Sequence, residues 1–285
     1  MNRVDATRIR DVDAFHATVP YIMPKRTDAE ISSQEHFDLT ELVAYLKQRN
    51  ESEGLNLKLF HACCTAIART ALLRPKMNIF IAGKRYWQRK DLTLAFVVKR
   101  KFEDAAEESL MTMKVKPDMT LDSISRLILG DVHQLRKSNS NDMDGTLELL
   151  RKLPRFILIP VFGVVRLMEF FGIVPAAIMK GDPNYCSIFL SNLGSIGAGA
   201  PYHHLSNYGT NSIMVTIGTL HKEKRLQPDG TEQVRDMLDV TFTLDERIAD
   251  GFYFARSLKI TRYLLEHPQL LAQPLGTPVP AEVLA

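Results

Sequence analysis

The stretch that most constrains the fold runs from Thr241 to Arg256 and reads TFTLDERIADGFYFAR. Apolar and polar side chains alternate around its start, in the order Val240, Thr241, Phe242, Thr243, Leu244 and Asp245. Such a period of two predicts a strand with one buried face. Apolar residues then recur at helical spacing, which predicts a helix over Phe252–Leu265. The residues that join strand and helix therefore lie at an edge of a sheet, where acidic Asp250 suits the helix N-terminus.

The joining residues, DERIADG over 245–251, resemble the signatures of two acyltransferase families. They resemble the D-H-R-x-x-D-G of the acyltransferases of 2-oxoacid dehydrogenase complexes and are similar to the H-H-x-x-x-D-G of chloramphenicol acetyltransferase. These families share a fold, and in both the histidine is the general base. Every fixed position of the first signature matches except that one, where this chain has Glu246. The resemblance implies that Glu246 stands in the position of the base, with Asp250 as an orienting residue.

A second motif, SNLGSIG over 191–197, strongly resembles the S-N-L-G-x-x-G of the same dehydrogenase acyltransferases. In that family the leading serine, or its equivalent, hydrogen-bonds the oxyanion of the tetrahedral intermediate. The resemblance assigns this role to Ser191. We expect Asn192 and Gly194 to lie against the substrate, since a glycine lets backbone approach a ligand, or a partner strand, closely.

A histidine pair, His203 and His204, follows the second motif in a predicted loop. Either imidazole could supply the base in place of Glu246. We assign His204 to catalysis and His203 to substrate binding. The other interpretation is that both are ordinary polar loop residues.

The polar N-terminal segment contains the residues RIRD at 8–11. This pattern looks like the N-terminal arm of chloramphenicol acetyltransferase, in which an arginine pairs with the aspartate of the base motif. The resemblance implies an ion pair between Arg10, or Arg8, and Asp250. The alternative is a solvated arm.

The resemblance covers about residues 8–270 and is strongest over 187–265. It implies an α/β fold, a two-layer sandwich in which helices cover a mixed sheet like that of chloramphenicol acetyltransferase. We predict one catalytic domain over residues 1–272 with an apolar helical segment inserted at 154–180. The segment 273–285 is rich in Pro and Ala and is expected to be a flexible tail.

The apolar segment 156–179 is not explained by the resemblance, because the two families have a shorter, more polar stretch there. Its longest unbroken apolar run, Phe156–Val165, has ten residues, whereas a membrane span needs about 20. One interpretation is a helical hairpin buried against the sheet. The other is an exposed apolar surface for a membrane interface, an acyl chain or a partner subunit.

The bulk composition excludes several classes of protein. A net charge of +3, from 36 basic and 33 acidic residues, is too balanced to indicate nucleic-acid binding. The three cysteines do not form a disulfide framework, and the sequence has no N-terminal apolar signal segment or metal-ligand cluster. We therefore expect a cytoplasmic protein without a metal.

The function implied by the resemblance is transfer of an acyl group from a thioester, with coenzyme A as the type of donor and no covalently bound cofactor. The families assemble as trimers in which the base of one subunit faces the serine of its neighbour, so Glu246 and Ser191 would meet across an interface. The basic residues 99–101 are expected to be a solvated strand end or to contact the phosphates of such a donor. The alternative function is a catalytically lapsed trimeric module that binds a thioester, a lipid or a protein.

Overall fold

The computed structural model describes residues 3–99, 108–138, 150–226 and 229–284. Its strands are β1 (Ala6–Arg8), β2 (Glu30–Asp38), β3 (Ile79–Ala82), β4 (Arg85–Arg89), β5 (Leu92–Lys99), β6 (Glu108–Val115), β7 (Ile188–Asn192), β8 (Ile213–Ile217), β9 (His221–Leu226) and β10 (Glu232–Asp245). Its helices are α1 (Ala14–Ile22), α2 (Thr40–Glu53), α3 (Leu59–Leu73), α4 (Leu121–Ser138), α5 (Arg155–Phe171), α6 (Ala176–Met179) and α7 (Gly251–Glu266). The basic residues 100 and 101 and the side chain of residue 99 lie outside the description.

The described strands form a mixed sheet of seven and an antiparallel sheet of three. The larger sheet has the order β2-β10-β8-β7-β5-β6, with β9 paired to β10, and the smaller one has the order β1-β4-β3. β5, β7 and β8 run parallel, whereas β10 is antiparallel to all three strands that pair with it, β2, β8 and β9. The predicted mixed sheet covered by helices is therefore what the chain forms.

The two faces of the large sheet differ in chemistry. The apolar side chains of β10, among them Phe242 and Leu244, join the hydrophobic core with residues of α3, α4 and α7. Thr241, Thr243 and Asp245 lie on the other face, so the predicted alternation is confirmed. This second face is also buried, because the loop after β7 covers it, and the Thr241 hydroxyl donates to the Pro201 carbonyl at 2.7 Å.

The N-terminal residues form a strand and a helix that pack against the rest of the chain, and they are not a solvated arm. The short β1 pairs with β4, and α1 begins after Asp13, whose carboxylate accepts a hydrogen bond from the His16 amide. The buried Arg3 forms an ion pair with Glu169 of α5. The segment before β2 therefore packs against the body of the protein.

The prediction of a flexible tail is wrong for residues 273–284. Leu275 is fully buried, and its amide donates to the Met119 carbonyl at 2.8 Å. The buried Arg69 of α3 donates to the Thr277 carbonyl at 2.9 Å. Proline and alanine here shape an irregular segment that is held by hydrogen bonds to its backbone.

The buried His61 of α3 makes the stability of the fold depend on pH. Its Nδ1 accepts hydrogen bonds from the Lys58 amide at 3.2 Å and the Ser125 hydroxyl at 2.8 Å, which requires the neutral ring. Burial, with a smaller effect of Lys58, lowers the pKa of His61 to about 4 from 6.5. Between these values the unfolded chain binds a proton that the folded chain does not, so stability falls as the pH falls.

We expect the free energy of unfolding to drop by about 3 kcal/mol between pH 6.5 and 4 through this residue. Urea unfolding across that range should show a steeper pH dependence for the wild type than for His61→Gln. His221→Gln, which changes an exposed histidine, serves as the control and should keep the wild-type slope. Equal slopes for the wild type and His61→Gln would contradict the assignment.

Candidate active site

A cavity of about 820 Å³ opens where β7 ends, and it gathers several of the residues singled out in the sequence. Apolar side chains of α3, α4, β5 and β8 form much of its wall. The SNLGSIG motif forms another part, because β7 ends at Asn192 and a 3-10 turn follows it. The predicted site residues that line the cavity are Ser191, Asn192, Gly194, His203 and His204.

The half-buried Ser191 is positioned by strand register. It lies opposite Thr216 of β8, which in turn lies opposite Thr241 of β10, so the three side chains share the polar face of the sheet. The Ser191 hydroxyl makes no hydrogen bond to another described residue. The Thr216 hydroxyl is buried and has no partner either. The two hydroxyls therefore lie on neighbouring strands, and Ser191, which lines the cavity, can donate to an oxyanion.

Gly194 permits the close packing behind this wall. A Cβ atom at this position would lie 2.1 Å from the Gly218 carbonyl oxygen, so no other residue fits without a shift of the backbone. Gly194 therefore allows the backbone that follows β8 to pack directly against it, and this close packing shapes the cavity wall.

His203 and His204 are exposed, and their rings stack with centroids 4.9 Å apart. The His203 Nδ1 lies 2.9 Å from the His204 carbonyl oxygen, which can only accept, so Nδ1 carries the proton in this arrangement. The Nε2 atom of a neutral His203 is then an acceptor. Both rings border the same cavity as Ser191, so either could take a proton there.

Glu246 lies outside this cavity. It is exposed, and its backbone amide donates to the Ala29 carbonyl at 2.9 Å. It stands five residues beyond Thr241 and two strands away from Ser191. At about 3.3 Å per residue and 4.8 Å per strand, the two residues of one chain are separated by about 20 Å. Glu246 and Ser191 of the same chain therefore cannot act on one reacting atom.

Asp245, beside Glu246, is the charged group that the fold buries. Its carboxylate accepts two hydrogen bonds of 2.7 Å from the Arg247 guanidinium, and Arg26 lies 3.8 Å away. Burial lowers the pKa of Arg26 to about 10, and the charge of Asp245 opposes that shift. Arg247 also donates to the Met23 carbonyl at 2.9 Å. This cluster fixes the end of β10 and turns Arg247 inward while Glu246 faces outward.

The predicted ion pair between Arg10 and Asp250 is absent from the described part of the chain, and Arg8 does not replace it. Asp250 instead caps α7, where its carboxylate accepts from the Tyr253 amide at 2.7 Å. The amide at the helix N-terminus supplies a hydrogen bond to the exposed carboxylate of Asp250. The carboxylate of Asp245 is buried, so it needs positively charged partners to offset its loss of solvation. Arg26 and Arg247 supply them, so the arginine of the N-terminal segment that pairs with this motif is Arg26.

Two residues described above, Thr216 beside Ser191 and Arg26 beside Asp245, were not singled out in the sequence. Thr216 could have been found, because alternation along SIMVTIGTL places it on the face of Met214, away from the core. Arg26 carries no such signal, since its pairing with Asp245 depends on the path of the chain before β2.

Comparisons with known proteins agree with the geometry. Residues 180–273 match the family described as 2-oxoacid dehydrogenases acyltransferase (catalytic domain). The lipoamide acyltransferase component of the branched-chain alpha-keto acid dehydrogenase complex from Bacillus subtilis (strain 168) is 24% identical over 253 residues, 85% of this chain and 48% of that protein. The chain therefore spans about half the length of this relative.

Solved structures share the fold at lower identity. A probable dihydrolipoamide acetyltransferase from Listeria monocytogenes 4b F2365 has a TM-score of 0.60 at 16% identity, with 91% of this chain and 94% of that one covered. A chloramphenicol acetyltransferase has a TM-score of 0.51 at 13% identity, with coverage of 91% and 99%. These matches confirm the predicted fold class.

Proposed function

We propose that the chain, whose residues 180–273 match the catalytic domain of the 2-oxoacid dehydrogenase acyltransferases, transfers an acyl group from a thioester donor to a thiol or hydroxyl acceptor. The observation that carries the proposal is the Ser191 hydroxyl, which faces the cavity without a partner in the described chain. An oxyanion needs such a donor, placed before the reaction begins.

The reaction has two steps. A base removes the proton of the acceptor, whose thiolate or alkoxide attacks the carbonyl carbon of the thioester. The carbonyl oxygen becomes an oxyanion and accepts a hydrogen bond from Ser191. The tetrahedral intermediate then collapses, the carbon–sulfur bond breaks, and the donor leaves as a thiol after taking up the proton. The donor is a coenzyme A-type or carrier-bound thioester, and it acts as co-substrate.

The distance within one chain constrains where a base for this cavity can come from. About 20 Å separates Glu246 from Ser191, so Glu246 can serve this cavity only from a second copy of the chain. We propose a homotrimer in which Glu246 of one subunit meets Ser191 of the next, with burial at the interface raising the basicity of the carboxylate. Asn192 and Gly194 contribute the cavity wall beside Ser191. The alternative base within the chain is His204, or its neighbour His203.

Ser191→Ala should lower the rate of acyl transfer by about 10²–10³-fold, because losing one oxyanion donor raises the barrier by about 3–4 kcal/mol. The measurement is a screen of acyl-coenzyme A and acyl-carrier thioesters, followed by kcat and kcat/KM for the donors that react. Ser195→Ala is the matched control, since Ser195 is exposed and donates to the Asn192 carbonyl at 2.8 Å. Wild-type activity in Ser191→Ala would contradict the oxyanion role.

A second function is favoured by the exposed position of Glu246 outside the cavity. In that case the chain is a lapsed module that binds a thioester, a lipid or a protein without turnover. Turnover by the wild type with any donor would exclude this function. Turnover by Glu246→His alone would support it, since a restored imidazole would then complete a site that this chain has lost.

A further inference from the structure

Helix α5 (Arg155–Phe171) exposes an apolar face that a helix in contact with water does not normally carry. Only Val165 of this helix is buried. Phe156 is 75% exposed, Ile159 is 72% exposed and Leu167 is 58% exposed. The side of a surface helix that faces water is normally polar, and a helix face with several exposed large apolar side chains marks an interaction site. The buried hairpin expected as one interpretation is therefore not what the chain forms.

The apolar surface continues beyond α5. Gly83 lies directly against the backbone of Phe170, which is itself 48% exposed. Lys84, the next residue, donates to the Pro20 carbonyl at 2.6 Å, and its ammonium group lies 5.6 Å from the centre of the Tyr21 ring. The exposed end of α1, with Tyr21 and Ile22, therefore stands next to α5 at the same turn.

Positive charge surrounds this surface. Residues 151–180 contain five basic residues and one acidic residue, Glu169, which is paired with Arg3. Arg166 and Phe170 of α5 border a cavity of about 260 Å³ that four further basic residues also line: Lys25, Arg26, Lys84 and Arg247. One acidic residue, Glu169, lines it as well, and its carboxylate is paired with Arg3. Arg26 and Arg247 are already the counter-charges of Asp245, so Lys25, Lys84 and Arg166 supply the positive charge that an anion in this cavity would meet.

An apolar helix beside a cavity rich in cations matches the two parts of a phospholipid, its acyl chains and its phosphate. Among the described residues, no helix is long and apolar enough to cross a bilayer. We propose that α5 and the adjoining basic cavity form a docking surface for a bilayer that contains anionic phospholipid. The helix lies in the plane of the headgroups, its apolar face enters the acyl boundary, and a headgroup phosphate occupies the cavity.

Flotation of the purified protein with two kinds of vesicle tests this proposal. One contains phosphatidylcholine alone, and the other contains about three parts phosphatidylcholine to one part phosphatidylglycerol. The protein should float with the second kind and bind it at least about tenfold more strongly than the first. Binding should weaken as salt is raised, because salt screens the attraction of cations to the anionic lipid.

Two sets of variants separate the apolar and the charged contributions. The triple variant F156Q/I159Q/L167Q changes exposed side chains and should reduce binding about tenfold or more. K84Q/R166Q should reduce binding to the anionic vesicles and leave the weak binding to phosphatidylcholine unchanged. L226Q/V234Q, which removes exposed apolar side chains from the β9–β10 hairpin, is the matched control and should bind like the wild type. The fluorescence of buried Trp87, the single tryptophan, reports that each variant is folded.

Absence of binding to either kind of vesicle would overturn the proposal. Equal binding to both kinds would overturn the role of the basic cavity. Sedimentation velocity gives the remaining outcome: if F156Q/I159Q/L167Q changes the oligomeric state and the wild type ignores vesicles, α5 is a contact between copies of the chain, and the lipid surface is wrong.

Discussion

Glu246→Gln is expected to lower the rate of acyl transfer by about 10²–10⁴-fold, the range that a general base contributes. The fold and the oligomeric state should not change, because the exposed Glu246 side chain makes no hydrogen bond or ion pair with the described residues. Glutamine keeps the size of the side chain and removes its ability to accept a proton. The measurement is kcat with the best donor, alongside the oligomeric mass. Glu41→Gln, an exposed glutamate of α2, is the control and should be fully active.

A mixing experiment tests the trimer and the base together. If each site takes Ser191 from one subunit and Glu246 from its neighbour, inactive Ser191→Ala and Glu246→Gln proteins should complement each other after subunit exchange. In an equal mixture, half of the serines and half of the facing glutamates are intact, so about one quarter of the sites regain both. Activity near a quarter of the wild-type value would place the two residues on different subunits.

Other results would redirect the assignment. Full activity in Glu246→Gln would exclude its catalytic role and move attention to the histidine pair, which borders the cavity within the chain. His203→Asn and His204→Asn would then identify the base. Two inactive parents that do not complement each other, although their subunits exchange, would show that Ser191 and Glu246 do not share a site across an interface.

The fold could be predicted well because apolar and polar residues alternate regularly along β10. The alternation through Phe242 and Leu244 indicates which face meets the helices, and the structure confirms it. The burial of the polar face was not predictable from that strand. It depends on the Thr241–Pro201 contact, which brings together residues 40 positions apart.

The candidate site was predicted in part for the same reason. Ser191 and Gly194 belong to one contiguous motif, so local sequence is sufficient to find them. The partner of Asp245 was not found, because Arg26 lies more than 200 residues away and its approach depends on the segment before β2. Asp250 was assigned an arginine partner, although a helix N-terminus satisfies it without one.

Helix α5 shows the limit of composition as a guide. A run of apolar residues is compatible with a buried helix and with a helix on an interface, and periodicity does not separate the two when almost every position is apolar. The two cases are distinguished only by what surrounds the helix in the folded chain. The side chains of Phe156 and Ile159 are exposed, so the helix is not buried. The sequence could state both alternatives without choosing.

Asp245→Asn is expected to destabilise the protein by about 3–5 kcal/mol, because it leaves buried cations without their counter-charge. Asp245 is fully buried, and its carboxylate oxygens hold the Arg247 guanidinium at 2.7 Å. Arg26 would lose its ion-pair partner, whose carboxylate lies 3.8 Å away. Asparagine has nearly the same shape, so the loss reports charge rather than a cavity.

The effect should appear as a lower midpoint of urea unfolding at an unchanged m-value, followed by the fluorescence of Trp87. Glu232→Gln is the matched control, because it removes a carboxylate from the same strand, β10, where an exposed pair with Lys224 spans 3.2 Å. That change should alter stability by less than about 1 kcal/mol, as is usual for surface pairs. If Asp245→Asn were as mild as the control, the cluster would not hold the end of β10, and the outward placement of Glu246 would need another cause.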